Sequence, residues 1–126
     1  MIYKILQYFK NYPGFAGKRL AIDYIGPDKN VVSFIPDGMS EVTRTYTDGG
    51  KIMRYTFRVV FLSDYKVTEN SAYLITEGIK RYINENPPDF DGGLYFEVTE
   101  FCHIAENTGT KGKYEMKIKY VYEVKE

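Results

Sequence analysis

The sequence predicts an α+β fold: a mostly antiparallel, twisted β-sheet with an N-terminal helix and a longer central helix packed on one face. Two patterns predict it. Over much of the chain apolar and polar residues alternate with a period of two, as in strands that bury one face. Near the N-terminus and over residues 68–86 the apolar residues instead recur three and four positions apart, as in amphipathic helices. We expect about five or six strands in a single domain, residues 1–126.

The N-terminal helix is predicted from an apolar stripe at positions i, i+3, i+4 and i+7, formed by Ile2, Ile5, Leu6 and Phe9. It must end near Tyr12, because Pro13 and Gly14 follow. The central helix begins at Thr68, a suitable N-cap, with Glu69 in its first turn. Its apolar face consists of Ala72, Ile75, Ile79, Tyr82 and Ile83. Pro87 and Pro88 terminate it, and Gly78 weakens it unless a neighbour packs closely there.

The strands are predicted from alternation and from the turns that separate them. A first strand over 19–24 ends at Gly26-Pro27, and an apolar run over 31–35 ends at Pro36-Asp37-Gly38. Residues 41–47 are expected to pair with a strand over 51–62 across the turn Asp48-Gly49-Gly50.

Two further strands complete the predicted sheet. One runs from Leu94 to about Ile104, and the last covers 114–124, in which only Val121 departs from the alternation. The polar segment 105–112 contains Gly109 and Gly112 and is predicted to be a mobile loop.

Composition restricts the functional classes. Seventeen basic and seventeen acidic side chains give a formal net charge of zero, which provides no overall attraction to nucleic acid or anionic membrane. The 13 Tyr and 8 Phe are unusually many and suit sheet faces and subunit contacts. The N-terminus lacks the features of a signal peptide, and no apolar stretch approaches the ~20 residues that cross a bilayer. We therefore expect a soluble protein made in the cytoplasm.

No residue pattern indicates catalysis, a cofactor or a metal site. Cys102 and His103 are neighbours in a predicted strand and should point to opposite faces, so they cannot form a nucleophile–base pair. One His and one Cys do not fill a zinc site. Glu97 and Glu100 lie three apart and are also expected on opposite faces. The glycines at 49–50 and 92–93 match no phosphate-binding motif and indicate turns.

The sequence does not fit a histidine-dependent acyltransferase. Enzymes such as chloramphenicol acetyltransferase are longer chains and carry a histidine motif that ends in Asp-Gly. In this chain Asp91-Gly92 precedes His103 instead of following it.

The strongest residue-level feature is a set of basic residues on predicted strand faces. Arg54 and Arg58 share one face of their strand, Lys117 and Lys119 share a face of another, and Arg44 is expected to join them from the paired strand. If these faces coincide, the sheet has a basic side that meets an acidic neighbour or passes DNA. The other interpretation is a solvated face on which Glu115 and Glu123 are cross-strand partners.

Several segments resemble a family of small proteins from phages and prophages of Gram-positive bacteria. They are MIYKILQYFK at the N-terminus, IDYI at 22–25, TYTDGGKIMRYTFRVVF at 45–61, NSAY at 70–73 and YEMKIKYVYE at 114–123. The family comprises the tail terminator or minor capsid proteins encoded in the head–tail module. The resemblance lies in pattern and element order over nearly the whole chain, residues 90–104 excepted.

The resemblance implies a non-enzymatic structural protein made in the bacterial cytoplasm and incorporated into the virion at the head–tail junction. Its relatives form a hexameric ring that caps the growing tail tube, stops its polymerisation and docks to the head connector, and DNA passes through the lumen. The implied partners are further copies of the chain, the tail tube protein and the head-completion or connector protein, with no membrane and no small-molecule substrate. On this reading the basic residues are candidates for the lumen or a subunit interface, and segment 105–112 becomes ordered on docking.

A second interpretation remains open from the residues themselves. It is a non-catalytic adaptor that binds a protein partner through the edge or face of its sheet.

Overall fold

The computed structural model describes residues 1–24, 26, 30–64, 71–108 and 111–125. Within them the chain forms helices α1 (Ile2–Phe9) and α2 (Ser71–Glu85) and a 3-10 turn at Pro13–Phe15. The strands are β1 (Arg19–Ile22), β2 (Val31–Pro36), β3 (Glu41–Thr45), β4 (Lys51–Asp64), β5 (Gly93–Thr108) and β6 (Lys111–Val124). The predicted α+β class with a mostly antiparallel sheet is confirmed. Neither helix in the described residues is long and apolar enough to cross a membrane.

The sheet is organised around β4 and β6, which pair along their whole lengths from Lys51↔Val124 to Asp64↔Lys111. The strand order is β1-β2-β4-β6-β5, and β3 pairs with the first residues of β4. Since β6 occupies one side of β4 throughout, β2 and β3 follow one another along its other side. Only β1 and β2 are parallel. Just after β1, the Tyr24 backbone N–H donates to Ser33 Oγ of β2 at 2.9 Å.

Both helices contribute to one apolar core on a single face of the sheet. Alternate residues of β4 and β6 form the floor of that core, as the period-two pattern predicts. At its centre Phe9 of α1 lies 5.5 Å, ring centroid to centroid, from both Phe34 and Phe96, and 6.2 Å from Phe57. Aromatic side chains therefore join α1 to three different strands of the sheet.

The central helix agrees with its prediction where the structure describes it. It ends at Glu85, next to the predicted end, while the predicted cap at Thr68 and Glu69 lies outside the described residues. Gly78 has a close neighbour: a Cβ at this position would meet Tyr12 Oη at 2.7 Å, and no other described group outside the backbone of α2 would lie within 4 Å. The Tyr12 ring is held between Phe15 and Tyr82, at centroid distances of 4.9 and 5.0 Å. The glycine thus allows α2 to approach the segment after α1.

We expect Gly78→Ala to be about 1 kcal/mol more favourable in a Tyr12→Phe background than in the parent protein. Alanine improves helix propensity by about 1 kcal/mol, and removing the Tyr12 hydroxyl removes the group that its methyl would strike. Urea unfolding of the parent, both single variants and the double variant measures this coupling energy. Additive effects would show that Tyr12 Oη does not restrict position 78.

The predicted mobile loop at 105–112 is wrong for the residues that the structure describes. Strand β5 continues to Thr108 and β6 begins at Lys111, with Asn107↔Gly112 and Thr108↔Lys111 in register. Gly112 is also paired with Ser63 of β4. Pairing to a neighbour on each side keeps this polar, glycine-containing part of β6 extended, which its composition alone does not indicate.

The two predicted glycine turns are confirmed. Gly49 has φ of 91°, and the Gly50 N–H donates to Asp48 Oδ1 at 2.9 Å in the turn between β3 and β4. Asp91 and Gly92 have φ of 52° and 73°, and the Gly93 N–H donates to the Phe90 carbonyl at 2.9 Å. Positive φ at both central residues is the type I′ arrangement that Asp-Gly favours.

Candidate functional site

The predicted basic residues of β4 and β6 lie on one face of the sheet, opposite the apolar core. We call it the open face. Arg58 is directly across from Lys117, Lys119 is across from Thr56, and Arg54 is across from Val121. Directly opposed residues in an antiparallel pair point to the same side. The sequence left open whether the basic faces of the two strands lie on the same side of the sheet. They do so for Arg54, Arg58, Lys117 and Lys119.

Carboxylates accompany each of these basic side chains. Arg54 pairs with Glu41, and Arg58 Nη1 lies 2.9 Å from Glu115 Oε1. The remaining contacts join Lys117 Nζ to Asp37 at 3.6 Å and Glu100 at 3.7 Å, and Lys119 Nζ to Glu97 at 3.5 Å. The open face is thus a charge-balanced ladder of ion pairs. Glu115 has the cross-strand role that the interpretation as a solvated face assigned to it. Glu123, the other predicted partner, lies opposite Ile52.

The expectation that Glu97 and Glu100 point to opposite faces is wrong. The register between β5 and β6 shifts between Val98 and Glu100, so that Glu97 is paired with Lys119 and Glu100 with Lys117. The extra residue of this bulge reverses the alternation and brings both carboxylates to the open face. Sequence spacing assumes an uninterrupted strand and cannot detect such a shift.

The ion pair of Arg58 with Glu115 is the most enclosed pair of this set. The Nε of Arg58 is buried and has no hydrogen-bond partner among the described residues, while its Nη1 is held by Glu115, whose side chain is only 15% exposed. Partial burial weakens screening by water, so loss of one partner leaves a charge that solvent compensates poorly. We therefore expect this pair to contribute more to the free energy of unfolding than the other ion pairs of the ladder.

We expect Glu115→Gln to lower the free energy of unfolding by about 1–2 kcal/mol, because it removes the counter-charge of a half-buried guanidinium. The matched change Glu41→Gln on the same face should cost less than about 0.5 kcal/mol, since Glu41 and its partner Arg54 are both more exposed to water. Denaturant unfolding of both variants measures the difference. Equal effects would show that burial does not distinguish the two pairs.

Arg44 lies at the end of the open face, beyond Arg54. A register shift between Val42 and Arg44 places it opposite Ile52 near the end of β3, and its guanidinium lies 5.4 Å from the centre of the Tyr46 ring. All five residues of β3 are exposed. Arg44 therefore belongs to the outer edge of the sheet.

Cys102 and His103 point to opposite sides, as predicted. Cys102 lies in the core, and burial raises the pKa of its thiol to about 11, which keeps it protonated near neutral pH. His103 is opposite Glu115 in register, and its Nε2 lies 3.6 Å from a Glu100 oxygen. In the described part of the chain no three His, Cys, Asp or Glu residues come together in a way that would hold a metal ion.

The three edge strands of the sheet, β1, β3 and β5, are poorly suited to pairing with another strand, and β1 is only four residues long. β5 has four register irregularities against β6, and in one of them the Cys102 backbone N–H donates to Thr76 Oγ1 of α2 at 2.9 Å. β3 is short and also contains a register shift. Short strands, bulges and a covering helix are the devices by which proteins prevent edge-to-edge pairing.

Sequence reasoning missed two exposed apolar surfaces. Met39, on the connection from β2 to β3, is 88% exposed, and Val42 and Tyr46 are exposed on the neighbouring strand and turn. At the start of α2, Leu74 is 61% exposed, with Tyr73 and the β5 residue Phe101 also exposed. One feature of the sequence indicates the first of these surfaces. Met39 is a large apolar residue inside the turn sequence Pro36-Asp37-Gly38-Met39-Ser40, where polar residues are usual.

Leu74 also lines a groove beside α2, which we call the Leu74 groove. Its volume is about 360 Å³, and its walls include Tyr12, Phe15, Val32, Phe61, Leu74 and Ile75. The walls come from the 3-10 segment, β2, β4 and α2, and most of the lining surface is apolar. An apolar groove of this kind can receive a side chain of similar character.

A scan of the chain against models of known protein families gives no match, and a search of curated proteins likewise finds no significant match.

Proposed function

We propose that this chain is a non-enzymatic structural protein of a phage or prophage that acts at the head–tail junction. It assembles as a ring, hexameric as in the family it resembles, on the end of the tail tube. There it stops polymerisation of the tube and joins the tail to the head connector. The proposal combines the resemblance of the N-terminal, 45–61 and 114–123 segments with the surface properties of the folded chain.

The observation that carries the proposal is that one subunit exposes several separate groups of large apolar side chains, two of which lie near the two ends of β2. One surrounds Met39, after the end of β2, and the other includes Leu74 and the groove that reaches Val32 at the start of β2. A subunit with two dissimilar, separated contact surfaces is suited to head-to-tail assembly, which gives a closed ring when the rotation between subunits closes.

The charge-balanced open face agrees with a lumen through which DNA passes. Free arginine and lysine side chains would bind phosphates and retain the DNA, in proportion to the number of phosphates they neutralise. Here Arg58 and Lys119 have carboxylate partners within the same sheet. Such a face would let DNA pass with little retention, and we assign it to the lumen within this proposal.

The test is mass measurement by light scattering over a concentration series, with and without the tail tube protein encoded beside this chain. A discrete ring, or tubes that stop growing when the protein is added, would support the proposal. A monomer at every concentration, combined with unchanged tube length, would overturn it.

The adaptor alternative has weaker structural support. Two of the three edge strands, β3 and β5, carry register shifts, and α2 supplies the acceptor for the Cys102 N–H. The third edge strand, β1, is regular but only four residues long. These properties disfavour docking of a partner strand along an edge of the sheet.

A further inference from the structure

We propose that Asp37 is a modification site at which aspartate isomerises spontaneously to isoaspartate, and that it is the most reactive of the three Asp-Gly sequences in the chain. The three are Asp37-Gly38, Asp48-Gly49 and Asp91-Gly92. Because they share one dipeptide, the sequence alone predicts similar reactivity for all of them. The folded structure separates them, and the proposal does not depend on the head–tail function.

Isomerisation begins when the backbone nitrogen of the glycine attacks Cγ of the aspartate. A new C–N bond forms, a carboxyl oxygen leaves as water together with the amide proton, and a five-membered succinimide ring results. Water then adds to either ring carbonyl and breaks the C–N bond there, which gives back aspartate or gives isoaspartate. The balance requires no oxidant or other co-reactant. Glycine favours the first step because it has no Cβ to shield its nitrogen.

The peptide between Asp37 and Gly38 is free to rotate into this attack. Among the described residues no group accepts a hydrogen bond from the Gly38 N–H, and none lies within 4 Å of the position that a Cβ would occupy. The connection from β2 to β3 is anchored on either side of this peptide. The Asp37 N–H donates to the Thr56 carbonyl at 2.9 Å, and Ser40 Oγ accepts from Tyr122 Oη at 2.8 Å. Rotation between the anchors therefore breaks neither hydrogen bond.

The carboxyl group of Asp37 is loosely held. Its Oδ2 lies 3.6 Å from Lys117 Nζ, which is longer than an ordinary hydrogen bond, and Lys117 is shared with Glu100. The side chains of Asp37 and Lys117 are 40% and 37% exposed, so water screens their attraction. This contact leaves the carboxyl group able to turn towards the Gly38 nitrogen.

Asp48 is held at both reacting groups. The Gly49 N–H, whose nitrogen would attack, donates to the Tyr46 carbonyl at 3.1 Å, and Asp48 Oδ1 accepts from the Gly50 N–H at 2.9 Å. Asp48 and Asp37 are both exposed, and the φ of Gly49, 91°, is close to the 95° of the reactive glycine. Hydrogen bonding therefore distinguishes the two sites, whereas exposure and glycine conformation do not.

Asp91 is restrained by contacts with other parts of the chain. Its Oδ1 lies 2.6 Å from Lys4 Nζ, and the Glu123 N–H donates to the Gly92 carbonyl at 2.9 Å. Attack by the Gly92 nitrogen requires the carboxyl group to leave Lys4 and the turn to move away from β6. Such local opening has a free-energy cost, which lowers the rate of any reaction that depends on it.

Isomerisation at position 37 changes the connection between β2 and β3. It adds one methylene carbon to the main chain and moves the carboxylate onto Cα, without a net change in mass. The hydrogen bond to Thr56 and the contact with Lys117 both originate at Asp37, so we expect both to change.

Peptide mapping of the folded, full-length chain after incubation at neutral pH tests the proposal. Trypsin places the three sites in separate peptides, residues 30–44, 45–51 and 82–111. Liquid chromatography with mass spectrometry separates aspartate from isoaspartate in each peptide. Incubation in ¹⁸O-labelled water also counts the rings that reopen to aspartate. We expect ring formation at Asp37 to be at least about tenfold faster than at Asp48 or Asp91.

A second measurement compares the matched variants Asp37→Asn and Asp48→Asn. Asn-Gly forms the same ring with loss of ammonia instead of water, and hydrolysis of the ring then raises the mass by one unit. The amide oxygen in Asp48→Asn can still accept from the Gly50 N–H, so its protection remains. We expect Asp37→Asn to deamidate at least about tenfold faster. Both positions are exposed, so the variants should fold, and circular dichroism checks that they do.

The chain unfolded in guanidinium chloride is the control for the effect of the fold. There the three sites should react within about threefold of one another, because the hydrogen bonds that distinguish them are lost. A preference for Asp37 that is present only in the folded protein supports the proposal. Equal rates at Asp37 and Asp48 in the folded protein, equal deamidation of the two variants, or the same preference in the unfolded chain overturns it.

Discussion

Phe9→Ala should be among the most destabilising single changes in this protein, lowering the free energy of unfolding by about 3–5 kcal/mol. The Phe9 side chain is 0% exposed and contacts the rings of Phe34, Phe57 and Phe96, which belong to three different strands. Its removal takes away apolar contact area and leaves a cavity that three strands of one sheet cannot easily close. The physical cause is the loss of the contact that joins α1 to the sheet.

The matched control is Tyr3→Ala on the same helix. Tyr3 is 71% exposed, so its removal should change stability by less than about 0.5 kcal/mol. Equilibrium unfolding in urea, followed by circular dichroism, gives both values. A loss below about 1.5 kcal/mol for Phe9→Ala would mean that α1 is not integral to the core.

Gly92→Ala is expected to destabilise the protein by about 3 kcal/mol, from two separate causes. Gly92 has φ of 73°, where an L-residue with a side chain is strained by roughly 1–2 kcal/mol. A Cβ at this position would also strike the backbone carbonyl oxygen of Glu123 in β6. Moving the turn to relieve this contact disturbs the hydrogen bond from the Glu123 N–H to the Gly92 carbonyl, 2.9 Å in the parent.

Gly17→Ala separates these two causes. Gly17 has a similar φ of 79°, but no described residue lies within 4 Å of the position that its Cβ would occupy. It should therefore show the strain alone, roughly 1–2 kcal/mol. Thermal or urea unfolding of both variants measures the difference. If the two losses are equal, the close approach of β6 to the Asp91–Gly92 turn contributes nothing to stability.

The open face shows how far a sequence pattern supports a functional interpretation. Alternation placed Arg54 with Arg58, and Lys117 with Lys119, on common strand faces, because period two is a property of each strand by itself. That the two faces coincide depends on the register between β4 and β6. Alternation also did not show that Glu97 and Glu100 join them there, since that depends on a bulge in β5. A face that looks cationic within β4 alone is charge-balanced when four strands and a connecting turn are assembled.

The sequence by itself determined the local structure of this protein. The stripe from Ile2 to Phe9 predicted α1, the alternation predicted β4 and β6, and the Asp-Gly pairs predicted the turns. Each of these features depends on neighbours a few positions away in the chain, which is the range over which helix and strand periodicity act.

Only the tertiary structure decided the features that depend on distant parts of the chain. The parallel pairing of β1 with β2, the bulges of β5, and the continuation of β5 and β6 through most of 105–112 follow from hydrogen bonds between remote segments. The exposed Met39 and the Leu74 groove likewise result from which surfaces the helices leave uncovered. Long-range packing sets these arrangements because backbone pairing and burial are satisfied over the whole sheet at once, and no single segment of the sequence contains that information.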